Sequence, residues 1–381
     1  MPFGRRKEAV LPFQKPGIFQ YKEYQTPGAT TGLAFCEIQG KDALVMSSLN
    51  SRGFSAVSVE GEKLWTFDTG ATVYSLAVGN FSGQTVILGG SGGKVFAISE
   101  AGKQLWQYEM PITKKGWIKG ILKVGRFSQE AAKLYGYDDV YHIATGKLDG
   151  EDVVAAIAGW ERFYEGAQIV SSKGEHILSL KKKYWSGEYA LGVVKCLLDL
   201  SPRGDSILAV VGGNRHVFKE VSVISGKGKI VKKLKAKMDL CPRERYTMGG
   251  IQDKNRGKLV AGKLDGTDAV VFGAPETRSV AAVSLDGTQL WKFVATSKGL
   301  FGTGALNAGI NDIAMGSING HSIVVIGTFD HAVHLVASNG VQMDVWGYPS
   351  NVTNVACGKI KGKDAVAVGL YSGQVITYQA Q

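Results

Sequence analysis

One repeated stretch constrains this chain more than any other feature. Residues 71–111 divide into pieces of strand length: ATVYSLAVGNFSGQ, TVILGGSGG, KVFAISEAGK and QLWQYEMP. Each is a run or an alternation of Val, Ile, Leu, Phe and Tyr, the pattern of a half-buried or fully buried strand. The joints between them are rich in Gly, Ser and Asn, which supply the positive φ that tight turns need. Four strands and three short turns make an antiparallel meander. A single four-stranded sheet cannot bury both of its faces, so the unit requires neighbours of its own kind.

The chain supplies them. An inner-hairpin turn recurs as CEIQGKD ending at Asp42, GNFSGQT at Thr85, GKLDGED at Asp152, GKLDGTD at Asp268, GSINGHS at Ser322 and GKIKGKD at Asp364, with a degenerate copy, DLSPRGDS, at Ser206. The shared element is a glycine, at 40, 83, 150, 204, 266, 320 and 362. A hairpin position with φ > 0 explains it without any function. An outer turn recurs as VEGEKLW (Trp65), EAGKQLW (Trp106) and LDGTQLW (Trp291). Weaker copies end at Leu178, Val231 and Trp346. The tryptophan is a large apolar plate suited to packing between adjacent sheets.

Aligned on these turns, the chain divides into seven units: 29–70, 71–113, 140–189, 190–238, 259–297, 305–348 and 349–381. The last has only three strands. The segment IFQYKEYQ, residues 18–25, resembles the outer strand QLWQYEMP and is expected to complete it. The expected fold is therefore all-β: a seven-bladed β-propeller of four-stranded antiparallel blades, the last blade closed by an N-terminal strand. Residues 1–17 read as an N-terminal extension and 18–381 as one propeller domain with insertions at 114–139 and 239–258. The 51 Gly without a Gly-X-Y period fit many tight turns, not collagen.

The recurring GxxLW turns resemble those of the pyrroloquinoline-quinone (PQQ) repeat propellers, within the wider WD-repeat-like group. The inner turn also resembles the G-D-x-N-G-D-G calcium loop of integrin-type propeller repeats. Here Lys147, Lys263 and Lys359 replace its first acidic ligand, so calcium is not expected to carry over. The quinoprotein dehydrogenases hold calcium beside the quinone and carry an adjacent cysteine pair. This chain has no adjacent Cys-Cys, and its sequence places no Asp, Glu and Asn set at a ring centre. The resemblance thus implies the scaffold without the enzyme: no catalytic residues, no metal and no cofactor.

Other exclusions agree. Cys36, Cys196, Cys241 and Cys357 lie far apart, without CxxC, and Cys36, Cys196 and Cys357, in apolar strands, read as buried thiols. His331 and His334, three apart on an expected strand, would face opposite ways and not share a metal. No GxSxG, HExxH or P-loop is present. No run approaches 18 apolar residues, so no membrane span is expected. The first residues, MPFGRRKEAVLPFQKPG, lack the apolar core of a secretory signal, and the expected location is cytoplasmic.

Departures from the repeat are where function should lie. They are the insertions 114–139, 239–258 and 298–311 and the lengthened second hairpin turns 159–166 and 212–220. Blade-to-blade links and second hairpin turns emerge on the same rim, so these additions should gather on one face. They carry the candidate partner-binding residues Trp117, Trp160, Arg162, Phe163, Tyr164, Arg215, Arg243, Arg245, Tyr246 and Arg256, of the types enriched at interface hot spots. The competing reading is that the loops fold on one another and plug the ring mouth.

Charge is lopsided as well. The net charge is +11, and residues 203–263 hold 15 Lys and Arg against 5 Asp and Glu. Such asymmetry suits an acidic partner, including nucleic acid. Part of it has a plainer source: Lys233, Lys235 and Lys237 alternate with Leu234 and Ala236, as on an edge strand blunted against pairing. The expected function is a non-enzymatic scaffold that binds a protein through the insertion-bearing face, as a subunit of a larger assembly. The alternative is nucleic-acid or ribonucleoprotein binding through the basic sector 203–263.

Overall fold

The computed structural model describes residues 17–111, 140–148, 150–158, 167–180, 191–198, 207–214, 217–225, 230–238, 258–273, 277–295 and 309–381. Strand β1 (Ile18–Gln25) comes first in the chain and is placed last below. The first blade holds β2 (Thr30–Ile38), β3 (Lys41–Ser48), β4 (Gly53–Ser58) and β5 (Lys63–Asp68). The second holds β6 (Ser75–Phe81), β7 (Gln84–Ser91), β8 (Lys94–Ser99) and β9 (Gln104–Glu109). The third holds β10 (Val140–Leu148), β11 (Glu151–Ala158), β12 (Ala167–Ser171) and β13 (His176–Leu180). The fourth holds β14 (Leu191–Leu198), β15 (Ile207–Asn214), β16 (Val217–Ser225) and β17 (Ile230–Lys235). The fifth holds β18 (Lys258–Leu264), β19 (Thr267–Gly273), β20 (Ser279–Ser284) and β21 (Gln289–Val294). The sixth holds β22 (Ile310–Ile318), β23 (His321–Thr328), β24 (Ala332–Ala337) and β25 (Gln342–Gly347). The remaining sheet has the order β1-β28-β27-β26, with β26 (Val352–Ile360), β27 (Lys363–Leu370) and β28 (Gln374–Ala380).

Each sheet is four-stranded and antiparallel, and among the described residues there are seven. In the last, Ile18 lies opposite Ala380 and Gln25 opposite Gln374. The first strand of each blade abuts that of the next, from β2 through β6, β10, β14, β18 and β22 to β26, and β26 abuts β2. This circuit of side-by-side meanders is a β-propeller.

Position in the blade explains the residue patterns. A second strand is covered on both faces by neighbouring blades, and β3, β23 and β27 are buried after their first one or two residues. Their runs ALVM, IVVI and AVAV need no alternation. Outer strands such as β5 alternate exposed with part-buried residues. The inner-hairpin glycines 40, 83, 150, 266, 320 and 362 have φ from +74° to +85°. Residues Gln39, Ser82, Asp265, Asn319 and Lys361 before five of them have φ from +46° to +53°, which makes type I′ turns. A Cβ on any of these six glycines would meet nothing within 4 Å, so backbone conformation alone demands glycine there.

The alternating strands divide the connections between two rims. First and third turns share one, here the turn rim. Second turns and blade-to-blade links share the other, the link rim.

Candidate functional site

The turn rim is occupied by contacts that bind blade to blade. Trp65 Nε1–H donates to the Glu100 carbonyl at 3.0 Å, Trp106 to Ser172 at 2.7 Å and Trp291 to Ser338 at 2.6 Å. Each acceptor lies in the outer turn of the next blade. Each indole packs beneath that turn's glycine: a Cβ on Gly102, Gly174 or Gly340 would fall 2.7–2.8 Å from the indole-bearing side chain below. The recurring tryptophan is therefore structural. Trp346 is an exception to the sequence alignment. Asp344, opposite Leu335, holds the register position of the other tryptophans, and Trp346 lies two residues on. There it stacks on Tyr378 with centroids 4.4 Å apart and donates to its neighbour Asp344 Oδ2 at 3.0 Å.

The lysines of the inner turns have partners on the same rim. Lys147 pairs with Asp152 at 2.8 Å, Lys263 with Asp268 at 2.8 Å and Lys359 with Asp364 at 3.0 Å. An ammonium thus balances the aspartate within each hairpin. The free carboxylate oxygen then reaches the preceding blade: Asp152 accepts from Ser82 N–H at 3.1 Å and Asp364 from Gly320 N–H at 3.3 Å. Burial raises the pKa of Asp364. Bonds from the Ser317 hydroxyl, Lys359 and Gly320 N–H more than offset that and hold it below the usual carboxylate value. Asp152 is depressed in the same way, against its burial, by Lys147 and Ser82 N–H.

The link rim carries the longest connections. Segments 112–139, 239–257 and 296–308, which include most of the three insertions, and the turn 159–166 lie outside the described residues. So do all ten candidate residues: Trp117, Trp160, Arg162, Phe163, Tyr164, Arg215, Arg243, Arg245, Tyr246 and Arg256. The strand ends that flank these segments are described, and all of them open on the link rim. One expected loop is not a loop. The stretch 212–220 is mostly ladder, with Gly212 opposite Glu220 and Asn214 opposite Val217, leaving residues 215–216 between the strands. Its glycines and polar residues look like a loop in sequence, but cross-strand pairing continues through them.

Sequence reasoning placed no polar set at the ring centre, and here the structure differs. Lys258, Asp312 and Asn354 hold one register position on the innermost strands β18, β22 and β26, opposite Gly273, Gly327 and Gly369. All three are buried, with no more than 7% exposed. Lys258 Nζ lies 3.5 Å from Asp312 Oδ1. Asp312 Oδ2 accepts from Val355 N–H at 3.0 Å, and Asn354 Nδ2 lies 3.5 Å from the same oxygen. The same position on β6 is Ser75, whose Oγ accepts from Ile143 N–H at 2.9 Å; on β10 it is the buried His142. The layer stitches successive blades together just inside the link rim. A buried ion pair adds little net stability, but removing one partner is costly. The only clue in sequence was a charge opening the strand KLVAGKL ahead of the apolar run Leu259–Ala261.

Of the basic sector, three described lysines make contacts within the fold. Lys232 donates to the Asp286 carbonyl, Lys258 pairs with Asp312 and Lys263 with Asp268. Lys233, Lys235 and Lys237 are exposed while Leu234 and Ala236 between them are buried, on or just beyond the outer strand β17. This is the lysine-blunted edge.

Burial pushes the thiols of Cys36 and Cys357 up to about 12, with the Glu100 and Asp364 charges adding to it, which makes both poor nucleophiles. His331 is a turn residue at φ +68°, just before β24, whereas His334 is fully buried on that strand. Burial holds the His334 pKa below the usual histidine value. Among the described residues no group of three or more His, Cys, Asp or Glu could hold a metal ion. Among them, too, no helix is long and apolar enough to cross a membrane.

A family model described as PQQ_2, Outer membrane protein assembly factor BamB, matches residues 31–122. That segment takes in the first two blades, where Trp65 and Trp106 stand. No curated protein matches the chain. Among solved structures, the crystal structures of BBS1N in complex with ARL6DN superpose on it. The mercury-soaked form has a TM-score of 0.62 and the lead-soaked form 0.64, each at 11% identity over 97% of this chain and 98% of the other. At that identity the likeness is one of fold.

Proposed function

We propose that this chain is a non-enzymatic propeller scaffold, seven blades latched by the N-terminal strand, that binds a protein partner through its link rim as a subunit of a larger assembly. The division of labour between the rims carries this reading. Turn-rim groups are spent on blade-to-blade bonds, through Trp65, Trp106, Trp291, Asp152 and Asp364. The three longest insertions, 114–139, 239–258 and 298–311, leave from the other rim, where repeat packing makes no demand on them. Two superposing structures hold a protein with a protein partner, which fits a scaffold reading. The carboxylate of the central layer is bound by Lys258 and Val355 N–H. The engaged lysines of the basic sector lend no specific support to nucleic acid.

The test uses affinity-purified full-length protein with its captured partner, with and without nuclease. Trp160→Ala and Tyr164→Ala should each weaken capture at least about thirtyfold, as expected for interface anchors worth ~2 kcal/mol or more, with the thermal midpoint unchanged. Arg243→Ala with Arg245→Ala should mainly reduce on-rate and salt sensitivity. Capture that vanishes with nuclease and falls steeply with log salt would establish the nucleic-acid reading instead. Loss of stability without loss of capture would mean that the loops plug the ring mouth.

A further inference from the structure

The same register position of the outer strand can be compared in all seven blades; Leu178 fills it in the third, opposite Ile169, and Asp344 in the sixth, opposite Leu335. Trp65, Trp106 and Trp291 fill it opposite Ala56, Ala97 and Ala282. In the fourth blade Lys232 fills it, opposite Val223, and in the last blade Lys22 fills it, opposite Thr377 on β28. The lysines imitate the indole. Lys22 Nζ donates to the Glu60 carbonyl and Lys232 Nζ to the Asp286 carbonyl, each in the outer turn of the following blade. Each also underlies that turn's glycine: a Cβ on Gly61 would fall 2.8 Å from Lys22 Nζ, and one on Gly287 3.3 Å from Lys232 Cε.

We propose that the ring yields along the line joining these two lysine junctions, with β1 as a releasable strap. The two junctions divide the propeller into blades one to four and blades five to seven, as near to opposite as seven blades allow. The physical difference is in what each side chain gives up on opening. An indole loses buried apolar contact, which salt does not weaken. An exposed ammonium exchanges a carbonyl for water at little cost. The last junction adds further exposed charge: Lys361 Nζ lies 3.4 Å from Glu60 Oε1 and 5.6 Å from the Tyr21 ring centre. Such pairs are screened by salt. The neighbouring junction between the sixth and last blades keeps aromatic packing, through Trp346 on Tyr378 and the 3.0 Å bond from Tyr348 OH to Tyr378 OH. The link between the fourth and fifth blades is also the one that carries insertion 239–257, so yielding there would move the two sides of that insertion apart.

Hydrogen exchange on the full-length protein tests this, because exchange reads the free energy of local opening segment by segment. Amides of the β1–β28 and β16–β17 ladders should exchange at least about tenfold faster than those of the tryptophan-locked β8–β9 and β20–β21 ladders. The gap should widen as salt rises from 0.05 to 0.5 M. Lys22→Trp should slow β1–β28 exchange, Lys232→Trp should do the same at β16–β17, and Trp106→Lys should speed exchange at β8–β9 and make it salt-sensitive. Equal protection across the four ladders, or lysine-to-tryptophan variants that fold and leave exchange unchanged, would overturn the proposal. If a tryptophan variant fails to fold, the wild-type comparison across ladders and its salt dependence still decide.

Discussion

Trp106→Ala is the most direct probe of how the blades are held. The indole sits between the second and third blades, packed against a cluster that includes Val154, Ala156 and Val170, with its N–H 2.7 Å from the Ser172 carbonyl. Truncating a fully buried tryptophan costs about 3–5 kcal/mol. Trp106 is only part-buried, so about 2–3 kcal/mol is appropriate for the lost contacts. The hydrogen bond adds about 1 kcal/mol, since the stranded carbonyl lies at the rim and can take water. The expected loss is therefore about 3–4 kcal/mol. Trp106→Phe keeps most of the apolar contact and should lose about 1 kcal/mol. Leu105→Ser, at a neighbouring side chain 50% exposed, should change stability by less than about 0.5 kcal/mol. Urea unfolding followed by circular dichroism gives the totals. Exchange at Ser171–Glu175 gives the local effect, needed because a chain this long need not unfold in one step. Equal losses for the alanine and phenylalanine variants, or an alanine loss below about 0.5 kcal/mol, would refute the packing argument.

Three further outcomes follow from particular groups. Gly266→Ala should cost about 1–2 kcal/mol from the φ of +82° alone, because its Cβ meets nothing, and Gly266→Asn should cost less; equal losses in thermal or urea unfolding would count against this. Asp364 has a folded pKa below its unfolded value of about 3.9, so its contribution is fully present above that value and disappears as pH falls through the lower folded pKa. The stability gap between wild type and Asp364→Asn, measured by urea unfolding from pH 6 to pH 3, should therefore shrink toward the acid end. Lys258→Met strands the buried Asp312 carboxylate and should cost about 3–5 kcal/mol, much of it recovered by adding Asp312→Asn; a fully additive double variant would refute the pairing.

How much of this could be read in the sequence follows from the range of each cause. The glycines at 40, 83, 150, 266, 320 and 362 were legible because a positive φ is a property of the residue itself. The unit of four strands was legible because burial on one or both faces writes itself as alternation or as an apolar run, as in KLWTFD against KDALVMSS. The tryptophan plates could be located but not their partners, since the Ser172 carbonyl that receives Trp106 lies 66 residues away in another blade. Trp346 was misaligned because distance from a turn is not register: the strand pairing puts Asp344 where a tryptophan was expected. The ladder across 212–220 was hidden because glycine and polar residues mark loops locally, while pairing depends on what lies opposite. The candidate interface was legible only as composition and position, ten aromatic and arginine residues in link-rim segments, all of them outside the described residues. The central layer was legible only as a charge opening the strand KLVAGKL. Lys258, Asp312 and Asn354 are ordinary polar residues in sequence, separated by 54 and 42 positions, and only the closing of the blades around a common axis makes them neighbours. Sequence determined the conformation of each turn and the face of each strand, because those are local energies. Tertiary structure decided which carbonyl an indole meets and which carboxylate a lysine neutralises, because those energies exist only once two blades touch.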